Sequence, residues 1–239
     1  MASSYIVERS RQTRYTREIT FRGDGVRLAG QMDYPRNIPP SEDRGTYPLL
    51  FVLHSAGWGN RSDYAHYARI GLRCGYAVFR WDKRCNGRSG GSGRGSTTMD
   101  AVSAYENALD QPHINNNHVV ILAQGEGTLM LAENFGLFAR IQAPTGVLLT
   151  ANMLDASAIN AIAAPTQILN GENDWHDWRV YGREASISHK MCYGTDTHYY
   201  MADGANRMLM VEDDGRRVFH PGAKLITQEW LQDLCRRLP

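Results

Sequence analysis

The residues Ala123-Gln124-Gly125-Glu126-Gly127 directly follow the apolar stretch His118-Val119-Val120-Ile121-Leu122. Small residues two places either side of a tip, after a strand and before a helix, make the frame of the sharp turn G-x-S-x-G, whose serine oxygen attacks a carbonyl carbon. Ala123 and Gly127 fill the small positions, and Gly125 stands at the tip. Glycine brings no nucleophile, so an acyl intermediate at residue 125 is impossible. Glycine also adopts positive φ freely, where another residue is strained by on the order of 1–3 kcal/mol, so Gly125 equally suits a turn released from catalysis.

Other chemistries find less support. Glycines 87, 90, 91, 93 and 95 do not form G-x-x-x-x-G-K-[ST] or a dinucleotide turn, and the basic run Arg80 to Arg94 that holds the first four reads as a surface loop. Its arginines and Lys83 are expected to be structural or solvated charges, with Asp82 and Arg84 pairing. Cys74, Cys85, Cys192 and Cys235 are scattered without metal-ligand spacing, as free thiols of a reducing compartment would be, so neither metal nor cofactor is implied. A formal net charge of +1 creates no field for nucleic acid or an anionic membrane. The start, Met1-Ala2-Ser3-Ser4-Tyr5, lacks an apolar signal core, and no run approaches the ~18–20 apolar residues of a membrane helix, so a cytoplasmic protein is expected.

The elements around the turn follow from periodicity. Residues 17–34 read as a hairpin about Gly23-Asp24-Gly25, and Asn37 to Thr46 as a polar loop. Tyr47 to Leu53 reads as a strand buried on both faces, emptying into His54-Ser55-Ala56-Gly57-Trp58-Gly59. Asp63 can cap a helix that stops at Gly75, Tyr76 to Trp81 is the next strand, and Ser96 or Thr97 opens a helix with Met99, Val102, Tyr105 and Leu109 on one face. Strand 118–122 leads through Gly125 into a helix holding Leu129, Met130 and Leu131. Strands at 146–150 and 166–169, a helix near Trp178 to Lys190, a last strand His198 to Ala202 and a final helix from Gly222 to Leu238 complete the series. With 239 residues and 42% hydrophobic content, a single α/β domain is expected. Its architecture is a doubly wound, mostly parallel sheet of about eight strands with helices on both faces. Only about fifteen residues separate 150 from 166, too few for a cap domain.

The order of these pieces resembles the α/β-hydrolase superfamily of esterases, lipases and dienelactone hydrolases, from about residue 17 onward. Four places carry the resemblance: His54-Ser55-Ala56-Gly57, similar to the H-G-x-G loop; Arg80 to Ser89, similar to R-x-D-x-R-G-x-G-x-S; the Gly125 turn; and Gly171-Glu172-Asn173-Asp174, similar to G-x-x-D. The resemblance implies an oxyanion hole from the backbone N–H of Glu126 and one near Ser55 or Ala56, and a substrate site including Gln124. It also implies that Asp174 orients a histidine. Arg207, in Gly204-Ala205-Asn206-Arg207, occupies the most direct histidine position. His220, before the final helix and after a hairpin at Asp213-Asp214-Gly215, also qualifies and is preferred over His198 and His176. His54 reads as a loop-packing residue donating to backbone, Glu126 as a charge along its helix start, and Ser55 as a hydroxyl that could be a displaced nucleophile.

Three readings result. The first is an enzyme acting on a small ester, lactone or related carbonyl compound, with His220 as base and Asp174 as its orienter. The second is a protein that holds a small ligand without converting it. The third is an esterase silenced at position 125. A small-molecule substrate or ligand is the expected partner in each.

Overall fold

The computed structural model describes residues 15–35, 45–56, 59–91, 94–194 and 197–237. The chain start, most of the polar loop from Asn37, Gly57, Trp58, Gly93 and the helix end at Leu238 lie outside the described residues.

Strands β1 (Tyr15–Arg22) and β2 (Arg27–Tyr34) pair antiparallel around the turn at 23–26. The near-continuous apolar runs form β3 (Tyr47–Leu53), β4 (Ala77–Asp82), β5 (Ile114–Gln124), β6 (Gly146–Thr150) and β7 (Thr166–Asn173), with β8 (Thr197–Asn206) at the edge. The sheet order is β1-β2-β4-β3-β5-β6-β7-β8, parallel from β4 to β8 and antiparallel where β2 joins β4. This is the doubly wound, mostly parallel sheet expected from the alternation of strands and helices. Strands β5 and β8 run longer than their apolar cores and take in polar residues such as Asn115, Asn116 and Asp203, which fall at the register shifts of β5 against β3 and of β8 against β7.

Two layers of helices cover the sheet. Helices α2 (Thr97–Leu109), α3 (Glu126–Glu133) and α4 (Phe135–Ile141) pack Tyr105, Leu131 and Phe138 on one face. Helices α1 (Ala65–Arg73) and α6 (Pro221–Arg236) pack Tyr67, Ile70, Trp230 and Leu231 on the other. Ser96 caps α2 by accepting from Met99 N–H. Asp63 does not cap α1 itself; it accepts from Asn60 N–H in a short 3-10 turn, Arg61–Tyr64, that precedes the helix. The expected helix near 178–190 begins as a π turn, Arg179–Glu184, and continues as α5 (Ala185–Tyr193). A separate hairpin of β9 (Met210–Asp213) and β10 (Arg216–Phe219) lies between β8 and α6.

The basic run is not all loop and not all solvated. Arg80, Trp81 and Asp82 finish β4, where Arg80 and Asp33 form a buried ion pair at 2.5 Å. Burial alone would raise the Asp33 carboxyl, but the Arg80 guanidinium, with Gln31 and Thr16, holds it below the usual carboxylate range. Asp82 and Arg84 do not pair: Arg84 Nε donates to Asp100 at 2.6 Å, while Asp82 accepts from the backbone of Arg61 and Arg88. The fixed carboxylate of Asp100 on the adjacent helix outcompetes a near neighbour already satisfied by backbone.

No helix among the described residues is long and apolar enough to cross a membrane.

Candidate functional site

The order β4-β3-β5 places a switch in strand order between β3 and β5, where crevices form beyond the carboxyl ends of parallel strands. Leu53 pairs with Ala123, so the loop 54–56 and the Gly125 turn leave the sheet side by side. Gly125 has φ 54° and ψ −123°, and its N–H donates to Thr150 O at 3.0 Å, tying the turn to β6. Thr128 returns both its N–H and its hydroxyl to Gly125 O. Gly127 sits where a Cβ would lie 2.8 Å from His54 O, so only glycine lets α3 approach β3 this closely.

Glu126 does not point along its helix. Its carboxylate bends back over the turn, where Oε2 accepts from Ser55 Oγ at 2.6 Å and from Ala56 N–H at 2.9 Å. The Glu126 backbone N–H donates to the same side chain. Burial would raise the carboxyl, but Ser55, the Ala56 and Glu126 amides and Arg207 outweigh it and hold it down to about 2. The sign follows from that depression: the bonds to ionised Glu126 favour the folded state above the ordinary glutamate range and are lost as pH falls from about 4.5 towards 2. Urea unfolding over that interval is therefore expected to show a shallower acid limb for Glu126→Gln than for the unaltered chain. Nearly half the side chain is exposed, so solvent screening keeps the difference small.

Arg207, in the turn after β8, spans the two acids. Its Nη1 lies 3.4 Å from Asp174 Oδ1, at the end of β7, and its Nη2 3.7 Å from Glu126 Oε2. Met153 Sδ lies 3.3 Å from Nη2, and the guanidinium carbon stands 5.3 Å from the Trp175 ring centre. The Asp174 side chain is buried, and its Oδ2 has no partner among the described residues.

His220 is not at Asp174, which corrects the expectation that it would be. It caps α6, its ring Nδ1 accepting from Ala223 N–H at 3.1 Å while its backbone N–H donates to Leu209 O. Proline at 221 and glycine at 222 make the chain turn into the helix there, and the ring faces Tyr200. His176 stacks edge-on with Tyr181, and His198 is exposed on edge strand β8. Gln124 is fully buried, opposite Thr150 in register, and its amide bonds to none of these groups. His54 packs edge-on between Tyr64 and Trp81, with burial, then Lys83, lowering its pKa to about 3. It is a neutral packing residue.

Beside Glu126 opens a cavity of about 430 Å³ walled by Leu53, Trp81 and Met130 and edged by Lys83, Arg84 and Asp100. Lys83 Nζ donates to Ser55 O at 2.5 Å, fixing the loop that supplies the two donors to Glu126. Sequence reasoning misses the fold-back of Glu126, the Lys83 bond to Ser55 O and the Trp175 ring beside Arg207, because each lies in or beside a motif while its partner lies in another loop.

No family model matches the chain, and no curated protein matches it. Among solved structures it is similar to an α/β serine hydrolase without a lid from Xanthomonas campestris, at 15% identity over 93% of this chain and 94% of that one, with TM-score 0.60. It is also similar to an esterase of Pyrococcus furiosus (13% identity, 98% and 96% of the chains, TM-score 0.64). A dienelactone hydrolase-like promiscuous phosphotriesterase from metagenomic libraries gives 15%, 94% and 98%, and 0.62. The chain has the α/β-hydrolase fold. At such identities the likeness is one of architecture, and the α/β-hydrolase fold hosts many chemistries. In this version of the fold, the connection from β6 to β7 holds a single 3-10 turn, Ala158–Ala161, and no inserted cap.

Proposed function

We propose that this protein descends from esterase-like α/β-hydrolases and holds a small ligand, of the size of a short ester or lactone, without hydrolysing it. The observation that carries the reading is the seat of the Glu126 carboxylate, which takes the Ala56 and Glu126 amides together with the Ser55 hydroxyl. Those amides are the groups an ester's developing oxyanion would need. A substrate carbonyl brought to the turn meets a fixed negative charge instead of free donors.

The rest of the arrangement agrees. A Cβ at position 125 would lie 2.6 Å from Ser55 Oγ and 2.8 Å from Arg207 Nη2, so neighbouring side chains fill the nucleophile's space. Arg207 stands beside Asp174 where a base would, and a guanidinium is a hydrogen-bond donor only. A site silenced by one substitution would keep its histidine, which disfavours that reading. Ser55 is no substitute nucleophile, because a carboxylate whose pKa is about 2 is a feeble base toward its hydroxyl. The 430 Å³ cavity supplies apolar walls with charged groups at its edge, as small-ligand sites do.

The test is a thermal-shift screen of short-chain esters, lactones and their acids, with mass analysis of each bound compound after prolonged incubation. Stabilising compounds recovered intact are the expected result. Turnover above buffer that disappears in Ser55→Ala or in Arg207→Ala would overturn the reading.

A further inference from the structure

On the other side of the sheet, α1, the β9–β10 hairpin and the first turn of α6 enclose a cavity of about 390 Å³ that shares no residue with the Glu126 site. Its shape follows from periodicity. His66, Arg69, Ile70 and Arg73 recur at helical spacing on one face of α1, and Arg217 and Phe219 alternate on β10. Lys224 enters from α6. Ile70 and Phe219 give the floor an apolar surface.

The charge is one-sided. Arg69, Arg73, Arg217 and Lys224 line the cavity, and no carboxylate does. The protein matches its partly buried arginines to acids, Arg61 to Glu18, Arg80 to Asp33, Arg84 to Asp100 and Arg207 to Asp174, whereas Arg69, Arg73 and Arg217 are exposed and gather in this one concavity. These four cations form no ion pair within 4.0 Å among the described residues, although Glu212 stands opposite Arg217 in hairpin register. Gathering like charges in one concavity raises the local concentration of anions and is relieved by binding one.

A second observation sits at the inner wall. His66 is 7% exposed, its ring centred 4.1 Å from Tyr67 and 4.9 Å from Phe219, and its Nε2 has no partner. Burial, then Arg69 and Arg80, lowers its pKa to about 4, so at neutral pH the ring is uncharged. The other ring nitrogen is bonded to the Asp63 backbone, which leaves Nε2 as a buried acceptor at a cationic cavity.

We propose that this cavity binds a soluble phosphorylated small molecule: Arg69, Arg73, Arg217 and Lys224 hold its phosphate, and Ile70 and Phe219 carry its less polar body. A hydroxyl of that body donates to His66 Nε2. Guanidinium forks suit the several oxygens of a phosphate group better than a single carboxylate would require four cations.

The probe is pyrophosphate, titrated calorimetrically against the full chain at low and at physiological salt, with the His66 ring resonances followed by NMR. Saturable binding that moves the His66 signals is expected, weakened about tenfold by Arg73→Ala and by Arg217→Ala. Arg140→Ala, on exposed α4 surface, is expected to leave binding unchanged. Both lining arginines are exposed, so their loss should not unfold the chain, and far-ultraviolet circular dichroism checks this. No saturable binding, binding indifferent to both variants, or capture by phosphatidylcholine vesicles containing phosphatidic acid without pyrophosphate binding would each overturn the proposal.

Discussion

Gly125→Ser is expected to yield a protein that forms no acyl adduct with activated esters and resists fluorophosphonate labelling, read by intact mass. A serine Cβ there would crowd Ser55 Oγ and Arg207 Nη2, and its hydroxyl would have no base, since Arg207 occupies the place beside Asp174. The φ of +54° adds strain that glycine escapes, so a stability loss of about 2 kcal/mol should accompany the silence. Combining Gly125→Ser with Glu126→Ala and Arg207→His frees the amides and offers Asp174 an imidazole. That triple variant should label roughly 10²–10⁴-fold faster than the single one, the range attributed to a positioned base. Rapid labelling of Gly125→Ser alone would show that a base is already in place, and the non-hydrolytic reading would fall.

The second large effect is on stability. Arg207→Ala removes the cation that pairs with Asp174, whose side chain is buried and whose Oδ2 lacks a partner among the described residues. Removing one member of such a pair leaves an uncompensated charge, so the variant is expected to lose about 3 kcal/mol, roughly 6–12 °C in Tm for a chain of this size. Adding Asp174→Asn should recover most of the loss, because a neutral amide does not need the guanidinium. Calorimetric scans of the unaltered chain and the two variants check this: equal destabilisation of Arg207→Ala with and without Asp174→Asn would show that Arg207 acts by packing on Met153 and Trp175, not by charge.

The architecture was legible because its signals are local. The apolar runs at 47–53, 118–122 and 146–150 read as strands, and they lie in the centre of the sheet. The short span between β6 and β7 likewise left room for no more than the turn found there. Charge pairing was less legible, because partners are chosen across the fold: Arg84 passes over Asp82 to reach Asp100. The position of His220 was misread for a similar reason. Being in the right interval of the chain does not place a side chain above the sheet, and the Pro221 turn commits this one to capping α6. Nothing in the residue order could show that Glu126 would fold back, since its helix-start position already gave its charge a local explanation.

The guanidinium between Asp174 and Glu126 also bears on acidification of the surroundings. A site built on imidazole changes its ionic form within the span over which compartments differ, so its occupancy follows local acidity. A guanidinium is a permanent cation over that span, and the Glu126 carboxyl is held down to about 2. These two groups therefore keep one electrical identity from mildly acidic to mildly alkaline surroundings, and whatever they hold is met by the same pair of charges throughout.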